Sequence, residues 1–183
     1  MKLYFAYGAN LNMASMAQRC PDAVPIQPFY LEDHRLAFSG VATVLPLEGS
    51  KVPGALWAIS DEDEKALDRF EGYPTMYRKE VIKQDGLEFM IYVMNSTEPW
   101  EPSDSYLAII AEGYEDWHLD PADLGMAVKQ TIKETLNYDL QWSTHDGIGL
   151  DSYLEEPLRG QSSDDLRWLR DLRMANRDPE TIQ

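Results

Sequence analysis

Asp85-Gly86 stands between two short runs, Tyr77 to Lys83 and Leu87 to Met94, and few dipeptides commit a chain so firmly. A type I′ turn needs positive φ at both central positions, which Asp-Gly accepts at low cost, so the flanking runs are expected to pair as antiparallel strands. A second commitment lies upstream. Ala55-Leu56-Trp57-Ala58-Ile59 reads as a compact apolar strand that runs directly into Ser60-Asp61-Glu62-Asp63. That tetrapeptide has the Ser/Thr-x-x-Asp/Glu capping pattern with acids in the first turn, and it predicts a helix from Ser60. Ala66, Leu67 and Phe70 supply the buried face, Gly72 suits the left-handed position after the helix, and Pro74 lies just beyond. Glu71 falls in the last turn.

The remaining elements follow from weaker signals. Leu3, Phe5 and Tyr7 alternate with Lys2, Tyr4 and Ala6 as a first strand that Gly8-Ala9-Asn10 ends. Asn12 can cap a short helix carrying Met13, Met16 and Ala17 before Cys20-Pro21 stops it. Pro21, Pro25 and Pro28 are expected to break the next segment into short edge strands, Ile26 to Leu31 and Arg35 to Ser39. Ser103 caps a helix with Tyr106, Leu107, Ile109 and Ile110 that ends near Gly113. Asp120-Pro121 opens another, with Leu124, Val128, Ile132 and Leu136 on one stripe. From Gln141 the pattern changes, so residues 1–140 are expected to form the domain. Residues 141–183 then make an acidic, partly helical extension, with an amphipathic helix from Ser163 to about Met174 around Leu166, Leu169 and Leu172.

Charge narrows the function classes. The 183 residues carry 16 Lys and Arg against 32 Asp and Glu, a formal net charge of −16, which disfavours direct binding to nucleic acid or anionic lipid. Between Gln84 and Val128 there are ten acidic residues and no Lys or Arg. Such a run is ordinarily a solvated surface; the alternative is a face for a basic protein partner. No apolar run is long enough for a membrane span, and the start lacks the apolar block of a signal peptide, so a cytoplasmic protein is expected. The single Cys20 forms no internal disulfide and is expected in the core. His34, His118 and His145 lack metal-ligand spacing, and Ser143, His145 and Asp146 lack a nucleophile-elbow context. Neither metal nor cofactor is expected.

Two segments carry chemistry. In Tyr7-Gly8-Ala9-Asn10-Leu11, Gly8 lets the backbone turn sharply and approach a ligand, and successive N–H groups in such a bend form a concave anion site. It is neither a Walker loop nor a dinucleotide fingerprint. In Asp68-Arg69-Phe70-Glu71-Gly72-Tyr73-Pro74, Glu71 faces the negative helix pole, with Phe70, Tyr73 and Tyr77 near enough in sequence to desolvate it. Both effects raise a carboxyl pKa toward the range of a general acid/base.

Phe5-Ala6-Tyr7-Gly8-Ala9-Asn10-Leu11, the strand Gly54 to Ile59, Leu67-Asp68-Arg69-Phe70-Glu71-Gly72-Tyr73-Pro74 and Met76-Tyr77 together resemble the gamma-glutamylcyclotransferase-like (AIG2-like) superfamily, over about residues 2–137. The resemblance implies an α+β fold: a mostly antiparallel, barrel-like mixed sheet with helices packed around it. It also implies a cofactor-free reaction on a small γ-glutamyl substrate, in which the free α-amine attacks the γ-carbonyl, closing 5-oxoproline and releasing an amine. Glu71 matches the family's catalytic acid. The backbone of Gly8, Ala9, Asn10 and Leu11 matches its substrate loop, and Tyr7 and Tyr77 match recurrent tyrosines of the pocket. Ala9 departs from the usual Ser. Alternatives on the same fold are a catalytically silent or acidic interaction protein, and an enzyme that transfers or trims an aminoacyl group on a larger acceptor.

Overall fold

The computed structural model describes residues 1–143, with side chains through Tyr138. Five strands form one sheet: β1 (Lys2–Ala6), β2 (Val24–Ser39), β3 (Val41–Ile59), β4 (Tyr77–Gln84) and β5 (Leu87–Met94), in the order β2-β3-β1-β5-β4. β1 is central, antiparallel to β3 with Lys2 opposite Ile59 and Ala6 opposite Ala55, and parallel to β5 with Leu3 opposite Phe89. The expected α+β class holds, with an open sheet whose edges are β2 and β4. The aromatic core follows from the placement of β1: Phe5 is fully buried, and its ring lies 5.9 Å from Phe89 and 6.0 Å from Phe29.

The hairpin forms as Asp85-Gly86 requires, with φ of 54° and 76° at the two positions. The proline-rich segment differs from expectation. β2 is one continuous strand rather than two pieces, and β3 begins at Val41, well before Ala55. Proline lacks a donor and is tolerated where no neighbour needs its N–H. β2 is an edge, with register shifts at Pro25/Gln27 and Glu32/His34, and β1 pairs only with Ala55–Ile59 of β3, leaving Pro46 and Pro53 outside the doubly paired stretch.

Among the described residues four α-helices accompany the strands: α1 (Met13–Arg19) and α2 (Asp61–Phe70) between strands, and α3 (Asp104–Asp116) and α4 (Pro121–Ser143) after β5. Asn12 caps α1 by accepting from the Ser15 N–H at 2.8 Å. Ser60 caps α2 as a full capping box: Ser60 Oγ accepts from Asp63 N–H at 3.1 Å, and Asp63 Oδ2 accepts from Ser60 N–H at 3.0 Å. Asp63 is buried and also accepts from the Asp22 N–H, so the cap ties α2 to the chain after α1. Replacing Ser60 by Ala is therefore expected to lower unfolding stability by about 1 kcal/mol, measured as a shifted urea midpoint at unchanged slope. Gly72, at φ 62°, turns the chain out of α2, leaving Glu71 as its C-terminal cap.

Gly113 does not end α3, as the sequence predicts; the helix runs on to Asp116. The residue instead marks a close approach, since a Cβ there would lie 2.5 Å from Leu11 Cβ. On α4, Leu124 and Val128 are buried, whereas Leu136, expected on the same stripe, is 58% exposed. The compact unit that carries the sheet spans Met1–Ile132; a second begins at Lys133, and its described part is the end of α4. The expected extension over 141–183, including the helix from Ser163, lies outside the described residues apart from 141–143, which continue α4. Among the described residues no helix is long and apolar enough to cross a membrane.

Candidate active site

Glu71 and the Gly8 loop, more than sixty positions apart in sequence, meet at one cavity. It opens to solvent, and Tyr4, Tyr7, Gly8, Ala9, Asn10 and Glu71 are among the residues that line it. Each part is delivered by an element already described. β1 ends at Ala6, and a single 3-10 turn, Ala9–Leu11, follows. That turn closes on Leu11 N–H donating to Gly8 O at 2.9 Å and Asn12 N–H donating to Ala9 O at 3.3 Å. A side chain at Gly8 would be crowded: a Cβ there would lie 3.1 Å from both Ala42 Cβ and Tyr106 Oη, so these neighbours would have to give by a few tenths of an ångström.

The Asn10 side chain joins loop and carboxylate. Its Nδ2 donates to Glu71 Oε1 at 2.7 Å and to Tyr4 Oη at 2.9 Å, while its Oδ1 accepts from Arg19. Removal from water pushes the Glu71 carboxyl up to about 7, against the opposing pull of the Arg19 guanidinium and the Asn10 hydrogen bond. Desolvation at the α2 C-terminus raises a carboxyl pKa as the sequence predicts, although the surroundings differ in part. Phe70 and Tyr77 line the cavity, but Tyr73 is turned outward, 42% exposed, under the Lys79 ammonium.

Besides Tyr4, whose oxygen accepts from Asn10 Nδ2, four tyrosines line the cavity and divide into two kinds. Tyr7 donates to the Tyr92 carbonyl at 2.5 Å, Tyr77 to the Ala42 carbonyl at 2.6 Å, and Tyr92 to Asp68 Oδ1 at 2.6 Å. With their protons engaged, these hydroxyls present acceptor oxygens. Tyr106 is the reverse. Its oxygen receives backbone hydrogen bonds from Ala42, at 3.1 Å, and from Ala9, so its proton remains for whatever enters the cavity. The lining thus offers acceptors suited to an amine and a donor suited to a carbonyl or carboxylate. Lys79 holds Asp68 in place at 2.7 Å while also pairing with Glu64 at 2.6 Å, which fixes the Tyr92 hydroxyl from behind.

Of the residues singled out from sequence, Tyr7, Gly8, Ala9, Asn10, Glu71 and Tyr77 line this cavity. Leu11 does not. Its side chain is buried against α3 at Gly113, its N–H closes the turn, and its carbonyl accepts from Trp117 Nε1 at 2.8 Å, so it anchors the loop and offers a ligand no free amide. Tyr4, Arg19, Tyr92 and Tyr106 were not marked by the sequence pattern. A hydroxyl within an otherwise apolar stripe is the available signal for the tyrosines, because a buried Tyr O–H seeks a partner. Cys20 is buried with its thiol pushed up to about 11 by desolvation, the environment of an unreactive core residue. Among the described residues no three His, Cys, Asp or Glu side chains cluster as metal ligands.

The family model described as gamma-glutamyl cyclotransferase, AIG2-like, matches residues 4–119. Gamma-glutamylcyclotransferases of Bos taurus and Homo sapiens are each 31% identical to the chain over 132 residues, spanning 62% of it and 70% of their own length. A crystal structure of an uncharacterized Homo sapiens protein superimposes with a TM-score of 0.56 at 27% identity, covering 72% of this chain and 85% of that one. A solved gamma-glutamyl cyclotransferase has the same fold, with a TM-score of 0.58 at 22% identity over 93% of this chain and 98% of its own.

Proposed function

We propose that this chain, which belongs to the gamma-glutamyl cyclotransferase, AIG2-like family, converts a γ-glutamyl amine or γ-glutamyl peptide to 5-oxoproline and a free amine, with Glu71 as general acid/base. The observation that carries the reading is a carboxyl, pushed up to about 7, that lines one cavity together with the Gly8–Asn10 loop and accepts from Asn10 Nδ2 at 2.7 Å. The substrate's α-amine attacks its own γ-carbonyl carbon, forming the ring C–N bond. Glu71 takes the proton from the attacking nitrogen and returns it to the departing nitrogen as the original γ-amide C–N bond breaks. Atoms balance without oxidant, reductant or water.

Folding the γ-glutamyl group back on itself is the main requirement, and holding amine and carbonyl in contact supplies several kcal/mol or more of the barrier. The acceptor oxygens of Tyr7, Tyr77 and Tyr92 suit the amine end. Tyr106 O–H and the backbone N–H groups of Gly8 and Asn10 suit the developing oxyanion or the α-carboxylate, with Ala9 N–H holding Tyr106 in place. Ala9 brings no hydroxyl where the family loop usually carries Ser, and Tyr106, bonded to the Ala9 backbone, places one at the same loop. A group with a pKa near working pH serves both proton transfers well, since it is basic enough to accept and acidic enough to return the proton. The test is incubation of the purified protein with a panel of γ-glutamyl amino acids and γ-glutamyl amines, followed by quantitation of 5-oxoproline. Turnover of at least one member is expected, and silence across the panel overturns the reading.

A further inference from the structure

Arg19 ends α1, nine positions after Asn10, and lies behind the cavity rather than in its lining. Its guanidinium carbon sits 3.3 Å over the centroid of the Phe70 ring, and one guanidinium nitrogen donates to Asn10 Oδ1. A guanidinium has five donors and no acceptor. Whatever it bonds must present an oxygen, so Asn10 can face Arg19 only with Oδ1. The amide then has one orientation, in which both Nδ2 protons point away from Arg19 and are engaged by Tyr4 and Glu71. A flipped amide would set Oδ1 against the Glu71 carboxylate and Nδ2 against a cation, two repulsions in place of two hydrogen bonds.

We propose that Arg19 is a positioning residue, which locks the Asn10 amide so that Nδ2 holds Glu71 Oε1 and leaves Oε2 for proton transfer. Phe70 braces the guanidinium, so the lock is built from both helices that flank the site, α1 and α2. This inference rests on the role given above to Glu71. Arg19 also sets the pH at which that carboxyl works. The groups facing Glu71 are Tyr4 from β1, Tyr7 and Asn10 from the segment after it, Tyr77 from β4, Tyr92 from β5 and Tyr106 from α3; among the described residues acting on it, Arg19 is the cation. A cation beside a carboxyl favours its ionised form, and its removal moves the titration upward.

The test uses two readouts. Carboxyl ¹³C NMR follows Glu71, whose resonance is identified by its loss in Glu71→Gln. In Arg19→Met the titration midpoint is expected to rise by about one unit, a tenfold change in the ionisation constant, and Arg19→Lys, which keeps the charge, is expected to recover most of it. Where Arg19→Met does not fold by circular dichroism, Arg19→Gln replaces it with the same expected rise. Kinetics with γ-glutamyl-alanine as probe is the second readout: kcat is expected to fall by about tenfold at pH 7 with KM within about twofold, and Arg19→Lys to rescue in part. An unmoved Glu71 midpoint in the neutral variant overturns the inference. So does a raised KM at unchanged kcat, which would make Arg19 a substrate-binding group. Because the NMR titration needs no turnover, it decides the role of Arg19 even if wild-type protein fails to act on any γ-glutamyl compound.

Discussion

Glu71→Gln is expected to abolish most 5-oxoproline formation while making the protein harder to unfold at pH 8. Removing a positioned general acid/base costs about 10²–10⁴-fold in rate, and Gln keeps the shape and can still accept from Asn10 Nδ2, so the loss is chemical rather than architectural. The opposite sign in stability follows from the same carboxyl. In the fold it is pushed up to about 7 from an ordinary value of 4.5, so between these values the native state binds more protons than the unfolded chain. Stability falls as pH rises wherever that is so, and the cost of the buried charge is complete above pH 7. Gln carries no such cost. The variant is expected to exceed wild type by about 1–3 kcal/mol at pH 8 and to match it near pH 4.5, the range allowing for the partial solvent contact of Glu71. Urea unfolding at both pH values checks the stability, and the wild-type pH–rate profile should rise with an apparent pKa near 7 as Glu71 ionises. A variant that keeps its activity removes the proposed mechanism; one no more stable than wild type at pH 8 removes the claim that burial perturbs this carboxyl.

Local signals placed the carboxyl and the bend separately. Ser60 and Gly72 bracket α2, which puts Glu71 at its end, and Gly8 ends β1 at a loop. Their meeting is a matter of pairing direction: β1 and β3 are antiparallel, so α2 starts at the opposite end of the sheet from the loop after β1, and its ten residues carry the chain back until Glu71, beyond its last turn, meets Asn10. Nothing in a periodicity reports that neighbourhood. The same holds for Tyr92 and Tyr106, which occupy strand and helix positions that any buried aromatic could fill until Asp68 and Ala42 are brought to their hydroxyls. Arg19 lies in the last turn of α1, where a basic side chain is favourable in any helix, and only the Phe70 face and the Asn10 oxygen give it a second role. The prolines misled in the other direction. Pro25 and Pro28 signal interruption locally, and β2 tolerates them because it is an edge strand paired on one side.

Gly113 is where the missed packing has its largest expected consequence. A Cβ at this position would stand 2.5 Å from Leu11 Cβ and 2.8 Å from both Asn12 N and Leu11 C, closer than real contacts allow. Two of the three obstructing atoms are backbone, so no rotamer change relieves them and α3 must separate from the loop. Overpacking of this kind costs about 1–3 kcal/mol, sometimes more, against a helix-propensity gain of about 1 kcal/mol for Ala over Gly. Gly113→Ala should therefore be destabilised by up to about 2 kcal/mol, less than would unfold an ordinary domain. The effect on turnover should be larger. The separation displaces Leu11 and strains the Trp117 Nε1 bond to its carbonyl, and it draws Tyr106, on the same helix, away from Ala42 and Ala9. Both sides of the oxyanion site move together, and misplacement by about 1 Å is worth roughly 10²-fold in rate. The expected outcome is a folded Gly113→Ala protein whose kcat/KM is about a hundredfold lower. Full activity at wild-type stability would show that the loop tolerates the displacement, and that the contact between Leu11 and α3 does not hold the substrate loop in register.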